Sequence, residues 1–219
     1  MALRREHLLP EIAARITEAI RGLGADVLSA EQRAESLRET LARVPAGGDV
    51  WVFGYGSLMW NPAFHHVESR AARAAGWHRS FCLWNTFGRG TPENPGLTLA
   101  LERGGSCAGL ALRIEAAQVE SELGILWNRE MITGAYAPRW LRLRSDAGEI
   151  DAVTFVANRA SSRYAGRLPL AETARLMARA RGPLGACREY LESTVAELER
   201  MAVRDGAMHA LLRAVRELE

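Results

Sequence analysis

Val50-Trp51-Val52-Phe53-Gly54-Tyr55-Gly56-Ser57-Leu58-Met59 is the stretch from which the rest of the chain is read. Val50–Phe53 is β-branched and aromatic, the composition of a buried strand. Gly54 and Gly56 then free the backbone from Cβ constraints, so the strand ends in a tight loop whose amide N–H groups can approach a ligand. Three common motifs fail here. A dinucleotide fingerprint needs Gly where Met59 stands, and a nucleophile elbow around Ser57 needs Gly where Tyr55 stands. A phosphate loop needs a Lys, and the chain has none. Two readings stay open: a plain strand-to-loop turn, or a loop of backbone donors that binds an oxyanion or carboxylate.

Upstream, residues 8–43 read as a helical hairpin. Ile12, Ile16 and Ile20 recur at i+4 until Gly22 and Gly24 break the pattern. Ser29 with Gln32 forms a capping box, and Ala34, Leu37, Leu41 and Val44 continue an apolar stripe up to the linker Pro45-Ala46-Gly47-Gly48. The chain therefore divides into an N-terminal helical extension, residues 1–47, and a main domain, residues 48–219. Packing or oligomer contact is the role expected of the extension. Downstream, strands are expected at Phe81–Trp84, Leu97–Leu101 and Cys107–Ile114, the last two joined as a hairpin through Glu102-Arg103-Gly104-Gly105-Ser106. A helix near 116–131, strands near 139–144 and 151–157, and helices at 170–180, 185–202 and 205–218 follow. Strand and helix do not alternate strictly, which disfavours a doubly wound parallel sheet. The fold class is α+β, a small mixed sheet or β-barrel flanked by helices.

Composition excludes several functions. The 219 residues are 48% apolar and 25% charged, as in a soluble globular protein of one domain or one domain with an appendage. All 28 basic residues are Arg and face 26 acidic ones, so neither nucleic acid nor an anionic membrane is an expected partner. Without Lys there is no Schiff-base chemistry through a lysine. Met1–His7 lacks the apolar core of a secretion signal, and no run approaches the roughly eighteen apolar residues of a spanning helix. Cys82, Cys107 and Cys187 are widely spaced and odd in number, which points to a reducing cytoplasm rather than a disulfide framework. His65 and His66 are adjacent, and no Cys or His follows at ligand spacing, so no metal site is expected.

Glu130 is a second candidate for chemistry. Val119, Leu123, Leu126 and Trp127 form the buried stripe of the expected helix, and Glu130 continues it at i+3 and i+4. A core-facing carboxyl has either a structural arginine partner or a raised pKa suited to general-base work. Arg89 heads the loop Arg89-Gly90-Thr91-Pro92-Glu93-Asn94-Pro95-Gly96, where its guanidinium either holds a substrate carboxylate or pairs with Glu93 to stiffen the loop. Tyr136 and Tyr164 sit in loop-like surroundings and say little alone.

Taken together, these segments resemble the ChaC family of γ-glutamylcyclotransferases. The resemblance is carried by Val52–Pro62, by Gly76-Trp77-His78-Arg79-Ser80-Phe81, by Arg89-Gly90-Thr91-Pro92 and by Arg129-Glu130-Met131. Tyr164-Ala165-Gly166, Gly182-Pro183-Leu184-Gly185 and Glu189-Tyr190-Leu191 complete it, in the family's order, over about residues 50–219. It implies a mixed β-barrel that cleaves glutathione into 5-oxoproline and cysteinylglycine without metal, nucleotide or organic cofactor. It also implies substrate binding by Val52, Phe53, Gly54, Tyr55, Gly56 and Ser57, and acid/base work by Glu130. Arg89 and Tyr164 join the expected substrate contacts. Two alternatives are cyclisation of another γ-glutamyl peptide or amine, and a non-catalytic γ-glutamyl-binding module.

Overall fold

The computed structural model describes residues 4–218. The apolar run becomes strand β1 (Val50–Gly54), which pairs antiparallel with β3 (Gly96–Ile114) from Val50↔Ile114 to Gly54↔Leu110. The sheet continues through β2 (Glu68–Asn85), β4 (Tyr136–Ser145) and β5 (Gly148–Ala157). It closes into a barrel in the order β1-β3-β2-β4-β5, with β5 returning parallel to β1 at Trp51↔Ala152 and Val52↔Val153. The β2–β4 seam is short, paired only at Arg73↔Arg144 and Ala74↔Leu143. The expected mixed barrel flanked by helices is therefore the fold found.

The hairpin expected between Leu101 and Cys107 is absent. Gly104 and Gly105 have φ of 108° and 69°, the left-handed freedom that suggested a turn, but the chain does not reverse there. Ala75 pairs with Ser106 and Trp77 with Arg103, so two β3 residues oppose the single Gly76 of β2. This is a bulge, which bends a long two-stranded ribbon instead of ending it. The first half of β2 escaped notice for a related reason. Its inward residues include Ala72 and Ala74, which are buried but carry little strand signal.

Helix α4 (Val119–Glu130) lays Val119, Leu123, Leu126 and Trp127 against Val52, Leu112, Ile114, Val153 and Phe155 on the outside of the barrel. Each fully buried aliphatic side chain of this kind contributes about 1.5–3 kcal/mol. Helices α5 (Leu170–Arg179), α6 (Cys187–Arg200) and α7 (Gly206–Arg216) supply Met177, Leu191, Leu198 and Leu211 to the other main core, with Phe53, Leu99 and Leu101. The expected helix at 185–202 starts two residues late, because Gly185–Ala186 pairs with Arg181–Gly182 in a minute hairpin.

The N-terminal helices α1 (Pro10–Gly22) and α2 (Ala30–Leu41) both pack on the α4 side. The capping box forms as read, with Gln32 N donating to Ser29 Oγ at 3.1 Å and Ser29 N to Gln32 Oε1 at 2.8 Å. Among the described residues, no helix is long and apolar enough to cross a membrane, and no cluster of three His, Cys, Asp or Glu could hold a metal ion.

Candidate active site

Where β1 ends, the backbone turns at Tyr55-Gly56 into the one-turn helix α3 (Ser57–Trp60). Gly56 is there because of close approach: a Cβ at this position would lie 2.8 Å from the Tyr190 hydroxyl oxygen and 3.4 Å from Leu99 Cδ1. Tyr190 in turn is held edge-on by Trp60 and Phe81, with ring centroids 6.0 and 5.8 Å away. Ser57 hydrogen-bonds the Tyr190 oxygen through its backbone and its side chain.

Glu130, the last residue of α4, faces this turn. Its side chain is 13% exposed, and Arg129 Nε stands 2.9 Å from Oε1. The Arg129 guanidinium also donates to Asn61 O at 2.5 Å, to Pro62 O at 3.2 Å and to Ser57 Oγ at 2.8 Å. One arginine thus ties the acid to the glycine turn. Burial pushes the Glu130 carboxyl above the usual range, against the charge and hydrogen bond of Arg129. Three phenols surround the acid. Tyr55 donates to Phe155 O at 2.6 Å and Tyr136 to Leu99 O at 2.8 Å, while burial raises Tyr55, Tyr136 and Tyr190, the last to about 12. All three remain neutral donors at ordinary pH.

A second glutamate on the same helix supplies a contrast with Glu130. Glu122 is also buried, but Arg5 grips it with both terminal nitrogens, one at 2.7 Å, and His65 N donates at 2.9 Å. Burial pushes Glu122 up, yet these partners pull it net below the usual range. Glu122 is a satisfied structural acid. Glu130, beside Arg129, shows the opposite balance, burial outweighing the cation.

Glu130, Ser57, Tyr136 and Tyr190 lie on the wall of a cavity of about 520 Å³, within the range of small-molecule sites. The same four, with Tyr55 and Gly56, line a small adjoining recess. Arg89 reaches the larger cavity, but its expected partner Glu93 is not the one it has. It donates to Ala186 O at 2.8 Å, stands 3.6 Å from Glu189 and lies over the Tyr190 ring. Asn85 Oδ1 accepts from Gly88 N and Arg89 N, both at 3.0 Å, and so fixes the start of that loop.

Other expected contacts lie elsewhere. Val52 and Phe53 are wholly buried core residues, and neither they nor Gly54 lines either cavity. Tyr164 is not on the cavity wall; a short bridge to Leu83 turns its hydroxyl to Glu102, 2.5 Å away. Burial pushes Cys82 to about 12 and Cys187 to about 11, so neither is a thiolate nucleophile. The sequence reading gave no site role to Arg129 or Tyr190. The i−1 position of Arg129 beside an acid carries no periodic signal, and Tyr190 arrives from a helix 134 positions after Gly56 in the numbering. It also missed the N-terminal contribution: Ile16, Ala19 and Ile20 of α1, with Leu8 before it and Leu23 after it, line the same cavity as Glu130.

A small closed barrel flanked by helices is the fold of the γ-glutamylcyclotransferases. The fold is shared with a solved yeast γ-glutamyl cyclotransferase specific to glutathione, at TM-score 0.70 and 21% identity over 78% of this chain and 99% of that one. The model of the ChaC-like protein family matches residues 50–218. Over 191 residues, 87% of this chain and 83% of the relative, the sequence is 46% identical to the glutathione-specific γ-glutamylcyclotransferase of Escherichia coli. It is 33% identical over 147 residues to glutathione-specific γ-glutamylcyclotransferase 1 of Homo sapiens, covering 65% of this chain and 66% of that one. The chain belongs to the ChaC-like family.

Proposed function

We propose that this protein cleaves glutathione to 5-oxoproline and cysteinylglycine, with Glu130 as its acid/base. The observation that carries the reading is the environment of Glu130: a buried, upward-shifted carboxyl on the wall of a ligand-sized cavity, tied through Arg129 to the Gly56 turn. The substrate's own α-amine attacks its γ-glutamyl carbonyl, closing a five-membered ring and breaking the amide to the cysteinyl nitrogen. Well-oriented intramolecular attack reaches effective molarities of about 10⁵–10⁸ M, so holding the glutamyl group bent supplies much of the acceleration. An α-amine has a reference pKa of about 7.7–8.0 and is largely protonated at neutral pH. Ionised Glu130 takes a proton from it and returns one to the leaving nitrogen. Tyr190, its oxygen held by Ser57, is placed to direct its O–H at the oxyanion. We place the reaction in the cytoplasm, which suits Cys82, Cys107 and Cys187 as free buried thiols. The test is incubation with glutathione: 5-oxoproline and cysteinylglycine should appear together, each matching the glutathione lost.

Two further outcomes follow from the geometry. Of the three arginines lining the cavity, Arg129 is engaged by Glu130 and Ser57 and Arg163 by Trp84 O, so Arg89 is assigned to the glycine carboxylate of the peptide tail, a charge-assisted contact worth about 1.5–3 kcal/mol. Arg89→Ala should lower kcat/KM for glutathione roughly ten- to a hundredfold, at about 1.4 kcal/mol per decade, and spare γ-glutamyl substrates lacking that carboxylate. Equal losses on both would assign Arg89 to its contacts with Ala186 and Glu189. Arg129 opposes the upward shift of Glu130, so Arg129→Gln should move the acid limb of the pH–rate profile to higher pH. An unmoved limb would mean that Glu130 is not the group titrating there.

A further inference from the structure

The N-terminal segment lies outside the stretch matched by the family model, yet it builds part of the cavity. It is fastened at both ends. Arg5 grips Glu122 and Leu8 O accepts from Asn128 Nδ2 at 3.0 Å on the near side; Leu28 N donates to Ile132 O at 2.8 Å and Ser162 Oγ to Asp26 at 3.0 Å on the far side. Between these anchors, the side-chain hydrogen bonds and ion pairs of α1 among the described residues stay within the helix: Thr17 to Ala13 O, and Arg21 to Glu18. What α1 offers the cavity is hydrocarbon. Ile16, Ala19 and Ile20 line it, with Leu23 just past the helix end, and Trp84, Phe87 and Leu184 belong to the same lining.

Ile16 to Ile20 spans about 6 Å at 1.5 Å per helical residue. A bare thiol touches only a small part of such a wall. The recess at Gly56 and Glu130 provides for the γ-glutamyl group and Arg89 for the tail, which leaves the α1 compartment to the side chain between them. We propose that Ile16 and Ile20 are specificity-determining residues for that side chain. On this basis the protein takes γ-glutamyl peptides bearing an apolar group on the cysteinyl sulfur, as well as the free thiol. The inference rests on the cyclotransferase reading above. Its chemistry is the same: the amine–carbonyl bond forms, the amide bond breaks, and the proton passes through Glu130 to the leaving nitrogen. The sulfur substituent is untouched and leaves on the S-alkyl cysteinylglycine.

The test follows 5-oxoproline release from glutathione and from its S-methyl, S-butyl and S-hexyl derivatives. KM should fall about three- to fourfold per methylene until the compartment fills, the equivalent of about 0.8 kcal/mol each. Ile20→Ser, and separately Ile16→Ser, should lower the ratio of kcat/KM for S-hexylglutathione to that for glutathione by tenfold or more. If the parent protein turns over glutathione but the S-hexyl derivative is more than tenfold poorer, this inference falls and the glutathione reading stands. If both serine variants slow the two substrates equally, α1 only supports the fold and the inference falls again. If neither substrate yields 5-oxoproline, both readings fall together.

Discussion

Glu130→Gln is expected to lower kcat for glutathione by about 10²–10⁴-fold, the usual cost of losing a general acid/base, while the protein melts no lower than its parent. The two halves of that outcome have one cause. Burial holds the Glu130 carboxyl above its ordinary range, so the folded chain favours the protonated, neutral form. Its stability contribution is complete below the unfolded pKa of about 4.3 and is lost as pH rises through the higher folded value. At neutral pH the ionised group therefore works against folding, and Gln, which is neutral at every pH, removes that penalty. Arg129 keeps three acceptors, Asn61 O, Pro62 O and Ser57 Oγ, and is not orphaned by the change. Steady-state kinetics and a thermal melt check this together. Retention of more than about a tenth of the turnover would remove Glu130 from the chemistry. A melt several degrees lower would make the pair with Arg129 structural.

Gly56→Ala should cost about 10²-fold in kcat/KM, and Gly56→Val more. The added Cβ falls 2.8 Å from the Tyr190 hydroxyl oxygen, closer than real Cβ contacts allow. A tyrosine hydroxyl is the far end of a side chain and could yield elsewhere, but this ring is wedged between Trp60 and Phe81. The glycine turn must then give way, and displacement by about 1 Å of a positioned group can cost 10²-fold. Overpacking adds a stability loss of about 1–3 kcal/mol. The cause can be isolated because Tyr190→Phe removes the clashing atom. If the contact is the problem, Gly56→Ala should be less damaging in the Tyr190→Phe background than alone, a coupling that a double-mutant cycle reads directly. Near-normal kinetics for Gly56→Ala would reduce the loop to a turn.

The parts of this site visible in the sequence were those carried by short-range rules. The run Val50–Phe53 with its two glycines announced a strand and a special turn, and the stripe from Val119 to Trp127 placed Glu130 on the buried side of its helix. The Ser29–Gln32 capping box formed as read. Long-range placement was hidden. A glycine pair with positive φ serves a hairpin or a bulge equally well, and only the partner strand, with Gly76 opposite, decides which. Alanines at the inward positions of β2 gave the barrel wall no hydrophobic signature. The stripe of Ile12, Ile16 and Ile20 was readable as helix, but its destination was not: Ile12 is 37% exposed, while Ile16 and Ile20 line the cavity. Tyr164 shows the converse, since a loop aromatic at a familiar motif packs toward Glu102 instead of the site.

The central claim is that the substrate's amine, not water, displaces the cysteinyl nitrogen beside Glu130. Running the reaction in water labelled with heavy oxygen and weighing the products tests it most directly. The expected result is unlabelled 5-oxoproline with an equal amount of cysteinylglycine, both falling away in Glu130→Gln. Free glutamate carrying the heavy oxygen would contradict the account, because it would make the protein a hydrolase built on the same barrel.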